Sequence, residues 1–493
     1  MSATPRRAAG DAADAQAAIE RFLEVARSPA LLEPGEDLIA LSGDNFVCET
    51  RAGRLTIQAW DERRNLSRRV SAVTAESRGK LELEIEKFPR KRGTLLLLDL
   101  AKPSNQDWTR RGARMVFRER FRLMLHRDFP EWEVGEISSE PDLEHSLSPV
   151  YPRALLTEGQ RAMAAIACPP DSGDAGILTF GLIWLDYLRR RERRRTVEGL
   201  CLFVPSAHAA AVSLRLQCLD PGAARYLLHA YSEQGFAAPV DPRDAGNIDT
   251  VLEPCRRPVY DASLAESLVR SGAIDQIARN DGEISFRVRG MEIARTHDGA
   301  VLFGLDDRRP LREHNLEEAS RLAHEVDMLR RDGGPLSGQG PELWLESQVR
   351  KEIEGIDASL LPDPVYGQVP AFAGGERGVL DLLAVDRTGR LVVIELKASA
   401  DLHLPMQALD YWARAKWHIE RGEFGPSGYF PGLQLRPEPP RLLLVAPALE
   451  FHATTETILR YLSPAIDIER IGLSLDWRTK LQVLFRARGA ASA

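Results

Sequence analysis

The segment GVLDLLAVDRTGRLVVIELKAS, residues 378–399, reads as two apolar strands joined by a tight turn. Asp381 interrupts the first strand, and Glu395 and Lys397 close the second, where sheet core calls for apolar residues. Asp386-Arg387-Thr388-Gly389-Arg390 predicts a three-residue hairpin loop with Gly389 at the position that needs positive φ. Pairing Asp386 with Arg390 then sets Asp381 opposite Glu395, give or take the one-residue slip of a bulge. The two-residue period puts Lys397 on the same face as Glu395. Leu380, Leu382, Leu383, Val393, Ile394 and Leu396 around them imply burial. Like charges opposite each other destabilise a sheet, and burial raises the cost. Lys397 offsets one carboxylate, whereas a divalent cation, which favours hard oxygen ligands, would offset both. The competing reading is a buried Asp–Lys–Glu network that fixes the hairpin register.

The flanking segments add polar groups. In LPMQALDYWARAKWHIERG, residues 404–422, a helix would set Gln407, Tyr411, Arg414 and His418 along one face. Such a stripe suits a phosphate, or is a solvated face. Upstream, Glu346 lies between Leu345 and Val349 in a predicted helix and is a candidate third carboxylate, with Glu342 as the alternative.

The set Glu346, Asp381-x13-Glu395-Leu396-Lys397 and Gln407-x3-Tyr411 resembles the PD-(D/E)XK nuclease superfamily. It is closest in flavour to the archaeal and actinobacterial mismatch endonucleases and the RecB-like nucleases. The resemblance covers the last third of the chain, and Leu380 stands where the motif has its nominal proline. It implies a restriction-endonuclease-like αβββαβ mixed sheet in that third. It also implies Mg²⁺, with Mn²⁺ as a substitute, held by Asp381, Glu395, the Leu396 carbonyl and Glu346. Lys397 would orient or help deprotonate the attacking water, and Gln407 and Tyr411 would position the phosphate backbone. The implied activity is metal-dependent endonucleolytic hydrolysis of nucleic acid, with DNA the expected substrate, in repair or defence. A non-cleaving nucleic-acid-binding or assembly module is the alternative.

With 493 residues the chain predicts an α/β multidomain protein. Gly/Pro-rich breaks at 168–176 and 330–342 suggest an α+β region over 17–167, a middle α/β region over 176–330 and the nuclease-like region over 341–488. Residues 1–16 read as a disordered lead-in. A net charge of −7 gives no overall pull toward a polyanion, so a nucleic acid would need a local grip. Arg111, Arg114, Arg118 and Arg122, spaced as one helical stripe, are the candidates, together with Arg414. Five dispersed cysteines fit reduced thiols in a cytoplasm, and no segment reads as a membrane span. Cutting both strands of a duplex would favour a homodimer.

Overall fold

The hairpin forms as its turn chemistry dictates. Asp386 N–H donates to Arg390 O at 2.9 Å, and Gly389 sits at φ +87°. The strands Glu376–Val385 and Leu391–Leu396 pair from Leu382 with Ile394 to Val385 with Leu391, the expected register. The computed structural model describes residues 12–489, apart from 34–38, 42–44, 52, 61–64, 78, 88–90, 101–105, 171, 174–175, 233–235, 244–249, 261, 271–273, 280, 332–333, 335, 337–339 and 374–375. Most of the expected lead-in lies outside these, but 12–16 open the helix Ala12–Val25. The protein is a mixed α/β, multidomain chain, and among the described residues no helix is long and apolar enough to cross a membrane.

The hairpin belongs to a seven-stranded mixed sheet. A leading helix, Pro341–Lys351, precedes three antiparallel strands, Tyr366–Ala373, Glu376–Val385 and Leu391–Leu396. A crossover helix, Leu404–Glu420, then returns the chain to Arg441–Pro447, parallel to Leu391–Leu396. A short helix, Thr455–Leu459, leads to parallel Ile468–Leu473, and antiparallel Val483–Arg488 closes one edge. Strand alternation divides the core. Leu382, Ala384, Val392 and Ile394 pack with Trp344, Leu345 and Val349 of the leading helix. Leu383, Val385, Leu391 and Val393 pack with Leu409 and Ala413 of the crossover helix. Burial on both faces explains why these strands are apolar throughout rather than alternating.

The chain divides into two compact units, Met1–Leu123 and Met124–Ala493. The first is an antiparallel seven-stranded sheet whose core includes Ile19, Leu55, Ile57, Leu83 and Leu95. Its longest strand, Asn65–Ser77, carries two register shifts that break the period of two. In the second unit, the strand Arg161–Ala167 is followed in the chain by the buried helix Ile177–Arg191, which crosses over to the parallel neighbour Thr196–Pro205. Ile284–Val288 and Ala300–Phe303 do not pair directly; Met291–His297 lies between them in a five-stranded sheet. Residues of the middle region also extend the last sheet, where Thr250–Leu252 pairs with Tyr366–Ala373.

Candidate active site

Asp381 and Glu395 meet where the hairpin ladder ends. Asp381 Oδ2 accepts the Leu396 N–H at 2.9 Å, so the side chain continues the ladder in place of a backbone carbonyl. Glu395 is 2% exposed and its Oε2 has no hydrogen-bond donor among the described residues. Lys397 Nζ stands 4.0 Å from Glu395 Oε1 and 3.7 Å from Asp401 Oδ2, so it is shared and contacts Glu395 only at long range. Burial pushes the Asp381 carboxyl up to about 6, against the opposing pull of the Leu396 N–H and Lys397. Burial, then the Asp381 charge, pushes Glu395 well above the usual carboxylate range. Two adjacent acids are thus held without enough positive charge to ionise both. A divalent cation would satisfy that deficit, and the orphaned Glu395 oxygen is the atom that asks for one. Asp381 and Glu395, together with the Leu396 carbonyl expected from the sequence, are the groups that could hold such an ion.

Glu346 does not join them. The leading helix covers the opposite sheet face, and its Glu346, 3% exposed, is held by two arginines. Arg350 Nη2 donates to Oε1 at 2.8 Å, and Arg287 Nη1 donates to Oε2 at 3.3 Å. The assignment of Glu346 as a metal ligand is therefore corrected: both of its oxygens serve a buried ion triad, and its charge reaches Asp381 only through space. Glu342, the alternative, likewise acts on Asp381 at a distance. Among the described residues no three His, Cys, Asp or Glu side chains gather as a cation cluster. The triad explains Gly367, where an added Cβ would fall on the Arg350 guanidinium and on Glu346 Oε1. Gly367→Ala is expected to lower stability by about 1–3 kcal/mol, the usual cost of overpacking, read as a lower urea midpoint.

The crossover helix is partly as expected. Gln407 and Tyr411 are half-buried, and Gln407 Oε1 is a buried acceptor with no donor among the described residues. Arg414 is 5% exposed, which removes it from contact with a nucleic acid in solution and corrects that assignment. His418, 1% exposed, is structural: Nε2 lies 3.1 Å from Thr250 Oγ1, and Nδ1 meets Glu423, tying the edge strand to the helix. Of the proposed phosphate stripe on Gln106–Asp128, Arg114 is exposed, Arg118 is half-buried and Arg122 faces Glu119 at 3.7 Å. The Arg111 side chain lies outside the described residues.

Sequence reasoning missed a basic cluster beside the leading helix. Arg289, Arg331, Lys351 and Arg478, with Asp275 and Asp327, line a cavity of about 420 Å³. Arg478 lies over Trp477 at 4.8 Å, and its buried Nε has no acceptor among the described residues. These cations come from four separate parts of the chain, so no local charge run announced them. Neither a protein-family model nor a curated protein matches the chain.

Proposed function

We propose that the protein is a metal-dependent nuclease that hydrolyses phosphodiester bonds, with Asp381, Glu395 and Lys397 as its catalytic residues and DNA as its substrate. The observation that carries this reading is the pair of carboxylates beside Lys397, at the end of a hairpin within an α-β-β-β-α-β run: Asp381 is half-buried, and Glu395 is buried with one oxygen that meets no donor among the described residues. A disused site would not retain two adjacent acids withdrawn from water, whose repulsion burdens the fold. The connectivity, with the fourth strand returning parallel to the third, agrees with a restriction-endonuclease-like domain. Asp381 and Glu395 would hold Mg²⁺ or Mn²⁺, which when bound polarises a phosphoryl oxygen and acidifies water. Lys397, half-buried with its Nζ shared between Glu395 and Asp401, would orient the attacking water and stabilise charge developing on phosphorus. The Gln407 amide and Tyr411 hydroxyl can position the substrate backbone. The basic cavity beside the leading helix and exposed Arg114 are sources of phosphate contacts.

The engagement of Glu346 by two arginines favours a second reading, a non-cleaving nucleic-acid module. Incubation with supercoiled, linear, single-stranded and branched DNA in Mg²⁺ or Mn²⁺ separates the two. Cleavage of at least one substrate is expected, falling by at least about 100-fold in Lys397→Ala at unchanged fold. No cleavage of any substrate, or a fully active Lys397→Ala, sinks the nuclease reading.

A further inference from the structure

The strand order around the candidate site occurs twice in the chain. The six-stranded sheet of the middle region runs Glu133–Val134, Arg153–Glu158, Arg161–Ala167, Thr196–Pro205, Arg225–Tyr231 and Ala237–Val240. Its successive pairings are antiparallel, antiparallel, parallel, parallel and antiparallel. The six strands from Tyr366–Ala373 to Val483–Arg488 pair in the same sequence of directions. Crossover helices fall at the same two places, Ile177–Arg191 and Ala209–Leu216 in the first sheet, Leu404–Glu420 and Thr455–Leu459 in the second. A helix precedes each set, one ending at Asp128 and the other at Lys351. Two parallel crossovers alone would be ordinary. Antiparallel strands flanking them in the same order on both sides are not.

The two sheets also meet reciprocally. The first crossover helix of the middle sheet packs on the second helix of the last sheet, and the second helix of the middle sheet packs on the first of the last. Arg215, on a second helix, donates from Nε to Asp410 on a first helix at 2.7 Å. Arg460, ending the other second helix, lies 3.8 Å from Asp186 on the other first helix. Between them Leu219 bridges Leu462, with Asp220 N–H donating to Tyr461 O and Ser463 N–H to Cys218 O, both at 2.9 Å. Such exchange of partners is the signature of a two-fold interface, written here within one chain.

Register then identifies the site's counterparts. Leu396 pairs with Val445 and Lys397 N–H donates to Val445 O, while Ala167 pairs with Phe203 and Cys168 N–H donates to Phe203 O. Lys397 therefore corresponds to Cys168, and Glu395 to Ile166. Ile166 pairs with Arg153, which takes the place of Asp381. Arg153 is 4% exposed and spends its guanidinium on Ser148 O and Glu140 O, a structural use.

We propose that residues 133–240 are a second copy of the site-bearing fold without its acids, and that the two copies form an internal pseudo-dimer with one competent site. The chain then needs no second copy at this face, which revises the expectation of a homodimer, and it opens one strand per encounter. The single-strand outcome rests on the proposed nuclease function; the pseudo-dimer does not.

Light scattering on the purified full chain is expected to give the monomer mass, 54.9 kDa. Titration with Mn²⁺ is expected to show one tight class per chain, lost in Asp381→Asn. On supercoiled plasmid, open circles should accumulate first, with linear molecules appearing only afterwards. A stable dimer, two equivalent cations per chain, or linear product formed together with the first open circles would each overturn the proposal. A monomer that binds no cation and cuts nothing would sink the nuclease reading while still supporting the pseudo-dimer.

Discussion

Glu346→Ala is expected to destabilise the protein by about 3–5 kcal/mol, the cost of breaking a buried ion pair from one side. Glu346 and Arg287 are buried and Arg350 is half-buried, and the Arg350 guanidinium is pushed down mainly by desolvation. Its neighbour Glu346 is the largest influence in the other direction. Without the carboxylate, Arg350 keeps the Val365 carbonyl at 2.5 Å and Arg287 keeps Ser285 Oγ at 3.0 Å, but both charges lose their anion. Glu342→Ala, at a half-buried first-turn position without an ion pair among the described residues, should shift stability by no more than about 0.5 kcal/mol. Urea unfolding of the three proteins in chelator decides the matter. A Glu346→Ala variant as stable as wild type, but weakened in Mn²⁺ affinity, would return Glu346 to the metal site.

That contrast marks what was legible in the sequence. The hairpin register could be read because turn chemistry and a period of two are local, and Asp386, Gly389 and Arg390 fixed it. Glu346 was correctly placed in a helix beside the hairpin, but its Oε1 is held by Arg350 one turn on and its Oε2 by Arg287, which lies 59 residues upstream on another sheet. Arg414 and His418 read as a polar stripe because helical spacing ignores what lies alongside. The packing of residues 209–216 on the crossover helix, the Arg215–Asp410 pair and the Thr250 edge strand decide that face instead. The duplication was invisible for a different reason. What repeats is a hydrogen-bonding order, and apolar strands such as RAMAAIA and LVVIEL preserve it without sharing residues.

In chelator, stability should fall as pH rises from about 4 to beyond 6, and divalent cations should restore it. Burial raises Asp381 from 3.8 to about 6 and also pushes Glu395 well above the usual carboxylate range, so the folded chain holds protons that the unfolded chain releases near pH 4. Where the native state binds more protons, stability decreases with pH. The Asp381 shift alone, 3.8 to about 6, corresponds to about 3 kcal/mol, fully present as a penalty above the folded value and absent below the unfolded one. Asp381→Asn keeps an oxygen for the Leu396 N–H and removes the charge, so in chelator at pH 8 the variant should be more stable than wild type. Glu395→Gln should behave in the same direction. Addition of Mg²⁺ at about 100 times its dissociation constant would return about 2.7 kcal/mol to wild type and nothing to either variant. Both variants should lose cleavage, so the metal-free fold and the activity move in opposite directions at the same residues. A structural Asp–Lys–Glu network predicts the reverse for stability, since removing a partner from a satisfied network destabilises it. Thermal unfolding of wild type and Asp381→Asn across this pH range, with and without Mg²⁺, therefore tells a cation site from a structural ion network. A pH-independent wild type, or a variant stabilised equally by Mg²⁺, would leave the two acids without a catalytic role.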